Sequence, residues 1–144
     1  MYVLDTNILV AALWSRAGAS HVLLRMAVAG TLPIAISVAL ALEYEDVLNR
    51  AKMREASWAS AAELETLLDA LLASAKLVMP IHFRQRPLLS DASDEMVFEC
   101  ALHGGASAIV TLNQRDFQPA AKRFGLEVLK PGELLTKLRT GEGP

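Results

Sequence analysis

Cysteine is nearly absent from this sequence. Cys100 is the only one in 144 residues, so no disulfide can form within the chain, and a reducing compartment is the expectation. Histidine is scarce as well. His21, His82 and His103 have no zinc-ligand spacing, and no zinc site is expected. An excess of positive charge is also missing. The formal net charge is −2, so no basic field advertises nucleic-acid binding. A nucleic-acid substrate would have to be drawn in by local Arg and Lys or by metal ions. No apolar run reaches the length of a membrane span. The uncharged stretch from Met26 to Leu42 falls short, and Gly30, Thr31, Pro33 and Ser37 punctuate it. Asp5 interrupts the start and no basic segment precedes it, so no signal peptide is expected. The chain reads as soluble and cytoplasmic, with no membrane partner.

What is present is apolar. Hydrophobic residues make up 53% of the chain and charged ones 21%, which suits one domain with a single core. Tyr2–Leu4, 33–37, 77–79, 108–111 and Glu127–Leu129 read as short buried strands. Helices are expected at 8–14, 20–28, 38–50, 61–75, 93–104, 119–124 and 132–138. Ser60-Ala61-Ala62-Glu63 has the form of a capping box before the fourth of these. The stretch KMREASWAS reads as a break, and HFRQRPLL and NQRDFQ read as loops. Apolar strands alternating with helices predict an α/β fold: one domain over 1–138, with a mostly parallel central sheet flanked by helices on both faces. Residues 139–144 read as a flexible C-terminal tail.

In such folds ligands bind outside the carboxyl ends of the strands, and acids gather there. Asp5 follows the first strand, where it can also cap the next helix with Thr6 and Asn7. Glu43 shares a helix face with Leu40, Tyr44 and Val47, an unusual place for a carboxylate unless it has a partner such as an Arg. Asp94 opens a helix and shares a face with Val97, Phe98 and Ala101, while Glu95 and Glu99 are expected to look outward. Its alternative role is a helix cap. Asp91 is a neighbour or a turn residue. Asp116 lies in a predicted loop, close to Asn113, and capping is its alternative role too.

Gathered at one edge, these carboxylates would repel one another, by on the order of 4 kcal/mol for a pair about 4 Å apart near a surface. Proton uptake or a bound cation relieves that. Oxygen donors without sulfur or imidazole select Mg²⁺ or Mn²⁺, and metal-assisted phosphodiester hydrolysis follows from such a site.

Four motifs in order carry a family resemblance. They are VLDTNILV with Asp5, Ser37-VALAL-Glu43, DASDEMVFECALHGGASAIVT with Asp94, and TLNQRDF with Asn113 and Asp116. Together they resemble a PIN-domain ribonuclease of the VapC toxin type, over about Met1 to Leu138. The stretch EYEDVLNRAKMREASW also resembles a bacterial subgroup of toxin components from toxin–antitoxin pairs. The resemblance implies that Asp5, Glu43, Asp94 and Asp116 hold one or two Mg²⁺ or Mn²⁺ ions, with Asp116 taken over Asn113 as the fourth ligand. It implies water attack on phosphorus in single-stranded RNA, leaving 5′-phosphate and 3′-hydroxyl ends. Thr6, Asn7, Ser37, Thr111 and Asn113 would orient the acids or the substrate, with a strand-end cap the alternative for Ser37. Arg84, Arg86 and Arg115 are candidate RNA contacts, or else solvated surface charges. Trp14 and Trp58 can stack on bases, with core or interface packing the alternative for Trp14. A homodimer is the family expectation, with a face around Leu13, Trp14, Val22 and Leu23. An antitoxin protein is the expected partner of a toxin; a housekeeping RNA-processing enzyme would have none. Two further readings are a catalytically weak PIN-fold binding protein and a receiver-like phospho-acceptor domain. The second would use Thr111 after a strand and Lys130-Pro131 after the last strand, but the middle strand LVMP offers no acceptor acid.

Overall fold

Strand β1 is Tyr2–Leu4, wholly buried, and it sits at the centre of the molecule. A computed structural model of the chain describes residues 1–79, 89 and 91–141; for 92 and 93 only the backbone is described. Its elements run β1, α1 (Thr6–Trp14), α2 (Ala19–Val28), β2 (Ala35–Ser37), α3 (Val38–Leu48), α4 (Ala51–Ala56), α5 (Ala61–Ser74), β3 (Lys76–Val78), α6 (Ala92–Gly104), β4 (Ala108–Val110), α7 (Gln114–Arg123), β5 (Glu127–Leu129) and α8 (Pro131–Arg139). The predicted loop HFRQRPLL, apart from Leu89, and the last tail residues, 142–144, lie outside the described residues.

All the strand pairs are parallel. β4 lies between β1 and β5, and β2 pairs with β3. A bridge between Tyr2 and Ile34, with the Tyr2 amide donating to the Pro33 carbonyl at 3.0 Å, joins the two ladders. The order is therefore β3-β2-β1-β4-β5. The chain builds outward from β1 to β3, then crosses back to β4 and continues outward on the other side. β1 and β4 flank the point where the direction reverses. Folds of this kind bind ligands beyond the strand ends at such a reversal, and Asp5 and Thr111 are the residues that follow those two strands.

Parallel strands covered on both faces need apolar side chains at every position, which is why YVL, AIS and AIV are buried throughout. Tyr44, Phe98 and Phe117 are the largest fully enclosed side chains, and Phe98 meets Phe124 edge-on with centroids 5.7 Å apart. The capping box at Ser60 forms as the sequence indicated: Ser60 Oγ accepts from the Glu63 amide and Glu63 accepts from the Ser60 amide, both at 3.1 Å.

Three expectations need correction. The stretch read as a break contains α4, a short helix whose only buried side chain is Met53; its apolar pattern is too brief to register by periodicity. NQRDFQ is not a loop, because α7 starts at Gln114 and accommodates Pro119 at its sixth position. Glu95 and Glu99 face inward, only 3% and 4% exposed, since α6 packs against β1, β2, β3, β4, α3 and α7 and has little free surface.

Gly104 closes α6 where it meets β3. A Cβ there would stand 2.7 Å from Val78 Cγ2, a buried β-branched side chain with little room to turn. Gly104→Ala is therefore expected to destabilise the fold by about 1–3 kcal/mol. Urea unfolding would show it as a lower midpoint at unchanged slope; an unchanged midpoint would mean the helix slides without cost.

Candidate active site

Asp5 leaves β1 in an extended conformation and stands at the start of α1. Its side chain does not close a capping hydrogen bond. Instead Thr111 Oγ1, fully buried at the end of β4, donates to Asp5 Oδ2 at 2.7 Å. The same oxygen accepts from the Asn113 amide at 3.0 Å and from Asn7 Nδ2 at 3.4 Å. Asn7 Oδ1 in turn accepts from the Leu112 amide at 3.3 Å. One hydroxyl thus ties the loop after β4 to the start of α1 and aims the Asp5 carboxylate.

Tyr44 secures the other side. It is wholly buried on α3, and its hydroxyl donates to the carbonyl of Leu4, the residue before Asp5. Sequence reasoning treated Tyr44 only as a neighbour of Glu43 on one face. Its position in the second turn of α3 was the available signal, but its partner is set by how α3 crosses the end of β1.

Burial raises the pKa of Asp5, and the Asp116 charge adds to that. The Thr111 hydroxyl and the Thr6 and Asn7 amides pull the other way. Asp94 is the third residue of α6, inside its first turn and not at its cap. Its pKa is raised to about 6, first by desolvation and then by the charges of Asp5, Asp91 and Asp116. Asp116 lies in the first turn of α7. Asp5, Asp94 and Asp116 therefore share one electrostatic field, although they come from three separate elements.

A family model for the PIN domain matches residues 1–115. The chain belongs to the PIN domain family. No curated protein matches it. PIN domains are usually nucleases, and PIN-domain nucleases generally use divalent metal ions. The match takes in Asp5, Glu43 and Asp94 and stops one residue short of Asp116.

The remaining candidates fall differently in this PIN domain. Glu43 is half-buried on α3 and makes no ion pair with an Arg among the described residues. Ser37 is the N-cap of α3, its Oγ accepting from the Leu40 amide at 3.1 Å, so it serves the helix and not the acids. Asn113 occupies the N-cap position of α7 without a side-chain cap bond. Thr6 is half-buried beside Asp5, and Arg115 is exposed next to Asp116. Arg84 and Arg86 lie outside the described residues. Trp14 is exposed at the far end of α1, not packed in a core. Trp58 is occupied: its Nε1 donates to the Ala12 carbonyl, Arg16 stacks on its ring at 4.4 Å, and His21 meets its edge. Among the described residues, no helix is long and apolar enough to cross a membrane.

Whether these acids suit a divalent ion depends on donor type and charge. The donors are carboxylate oxygens, and their mutual repulsion is what a cation would remove. Among the described residues, no group of three His, Cys, Asp or Glu side chains forms a ready cage for an ion. The donor set fits the ion.

Proposed function

We propose that this PIN domain is a Mg²⁺- or Mn²⁺-dependent endoribonuclease that hydrolyses phosphodiester bonds in single-stranded RNA. The observation that carries this reading is the convergence of carboxylates from three separate elements, Asp5 held by Thr111 at 2.7 Å with Asp94 and Asp116 in the first turns of α6 and α7, close enough for their charges to act on one another. Carboxylates that raise one another's pKa oppose the fold, a cation among them would relieve that, and the strand ends at a sheet reversal are where such folds bind ligands. Asp5, Asp94 and Asp116 would hold the ion, with Glu43 completing the set from α3. When bound, the ion supplies Lewis-acid polarisation of the phosphate and activation of the attacking water.

The chain's own groups prepare that chemistry. Thr111 opposes the rise in the Asp5 pKa and aims its carboxylate, and Asn7 and Asn113 are held by the same hydroxyl. Burial of Asp5 keeps bulk water away from one side of the carboxylate. Arg115 offers the RNA a cation beside Asp116. The toxin role is supported by the resemblance of the α3–α4 stretch EYEDVLNRAKMREASW to toxin components, which calls for a neighbouring antitoxin. For a homodimer, the fold leaves Trp14 and Val22 exposed but encloses Leu13 and Leu23 in its own core, so only the first two are free to reach a second copy.

The test is cleavage of a labelled single-stranded RNA pool in Mg²⁺, Mn²⁺ or EDTA. Cutting in either metal and none in EDTA is the expected result. Equal cutting in EDTA would defeat the metal assignment, and no cutting in any condition from folded protein would defeat the nuclease reading.

A further inference from the structure

The carboxyl edge of the sheet carries a cation that the acids do not account for. Leu4, Val110 and Leu129 lie side by side at the ends of β1, β4 and β5. The ladder continues one step further, with the Asp5 amide donating to the Val110 carbonyl and the Thr111 amide to the Leu129 carbonyl, both at 2.9 Å. Asp5, Thr111 and Lys130 therefore form the next row. Residues in one row project to the same side of a sheet, and the hydrogen bond between Thr111 and Asp5 shows this for the first two. Asp5 and Lys130 both have extended backbones, with φ/ψ of −63°/149° and −76°/156°. The row thus reads acid, hydroxyl, cation across two strand spacings, about 10 Å.

Lys130 is exposed, and its side chain makes no hydrogen bond or ion pair among the described residues. The acid in the first turn of α8, Glu133, is engaged elsewhere: its Oε1 accepts from the Lys130 amide at 2.9 Å and from Gln114 Nε2 at 2.8 Å. Two other cations are paired with acids. Lys137 pairs with Glu127 at 2.7 Å and Arg50 with Asp46 at 2.9 Å. A chain of net charge −2 with clustered acids at this edge repels a polyanion, so a free ammonium on the rim has an evident use.

We infer that Lys130 binds a phosphate of the RNA strand beside the one attacked, and so directs the strand across the ends of β4 and β5. The inference rests on the nuclease reading above. A lysine suits the task because it acts as a compact point charge on a flexible stem and needs no fixed fork geometry. Such a contact is made equally in ground state and transition state, so it acts on KM and not on kcat.

The experiment compares kcat, KM and salt dependence on one labelled single-stranded RNA for wild type, Lys130→Ala, Lys130→Arg and Lys137→Ala. Lys130→Ala is expected to raise KM about tenfold with kcat near wild type. It should also lower the slope of log affinity against log salt by about 0.7, the value for one phosphate contact on a single strand. Lys130→Arg should restore most of the affinity, and Lys137→Ala, which removes the same formal charge from the same helix, should leave KM unchanged. An unaltered KM and salt slope in a Lys130→Ala enzyme that still cuts would overturn the role of Lys130 and leave the nuclease reading standing. An equal KM rise in Lys137→Ala would overturn it too, by showing a general charge effect. A wild type that cuts no RNA would take both readings down together.

Discussion

Asp94→Asn is expected to abolish metal-dependent RNA cleavage and leave the fold intact. The substitution keeps the shape of the side chain and removes its charge. Loss of a ligand to a Lewis-acid ion removes several kcal/mol of transition-state stabilisation, so the rate should fall on the order of 100-fold or more. The fold should not suffer, because in the metal-free protein this charge is a burden. The pKa of Asp94 stands near 6 in the folded chain against 3.8 for an ordinary aspartate. Between those values the folded chain holds a proton that the unfolded chain has released. Folding therefore carries no penalty from this group below about pH 4, and it loses stability as the pH rises through 6. In EDTA, thermal unfolding of wild type should show that loss between pH 4 and 7, and Asp94→Asn should not. Added Mn²⁺ should raise the melting temperature of wild type at pH 7.5 more than that of the variant. A variant that cuts as fast as wild type would end the assignment of Asp94. A variant that melts well below wild type in EDTA would show that the carboxylate has a structural partner instead.

Thr111→Val should weaken divalent-metal binding about 10–100-fold, the usual cost of losing a group that orients a ligand. The two side chains have nearly the same shape, so the change isolates the hydroxyl. Three bonds are lost with it: the donation to Asp5 and the acceptance from Asn113 and Asn7. Burial already pushes the Asp5 pKa up, and the Thr111 hydroxyl is the chief restraint on that rise. Without it the carboxylate should need a higher pH to ionise, so the acid limb of metal binding should move to higher pH. Calorimetric titration with Mn²⁺ across pH 5–8 measures both effects, and Thr111→Ser, which retains the hydroxyl, should behave like wild type. Wild-type affinity and pH dependence in Thr111→Val would mean that Asp5 is held by the backbone alone.

The two variants separate roles that the acidic edge combines. Asp94 is the group most burdened without a cation. Asp5 is the group most carefully held, with Thr111 on one side and Tyr44 anchoring the Leu4 carbonyl behind it.

Read without coordinates, the chain already determines its class and the approximate places of its strands. Short apolar runs such as YVL, AIS and AIV can only be buried, and their alternation with helical patterns leaves a parallel sheet as the economical solution. The capping box at Ser60 was legible because both partners lie within one turn. That Asp5, Asp94 and Asp116 lie near one another was legible because each follows a strand or lies near a helix start at the same edge. What the sequence could not decide is everything that depends on which strand lies beside which. Thr111 and Asp5 are 106 residues apart, and only the β1–β4 pairing makes them hydrogen-bond. Tyr44 reaches Leu4 only because α3 crosses the end of β1, and Lys130 joins the row of Asp5 only because β5 extends the sheet beyond β4. Glu95 and Glu99 were misread for the same reason. A helix covered by one neighbour has an outward face, whereas α6 packs against six elements and leaves these two acids inside. Local pattern reports what a segment can bury; the tertiary fold decides which groups are buried, and it is that burial which raises the Asp94 pKa.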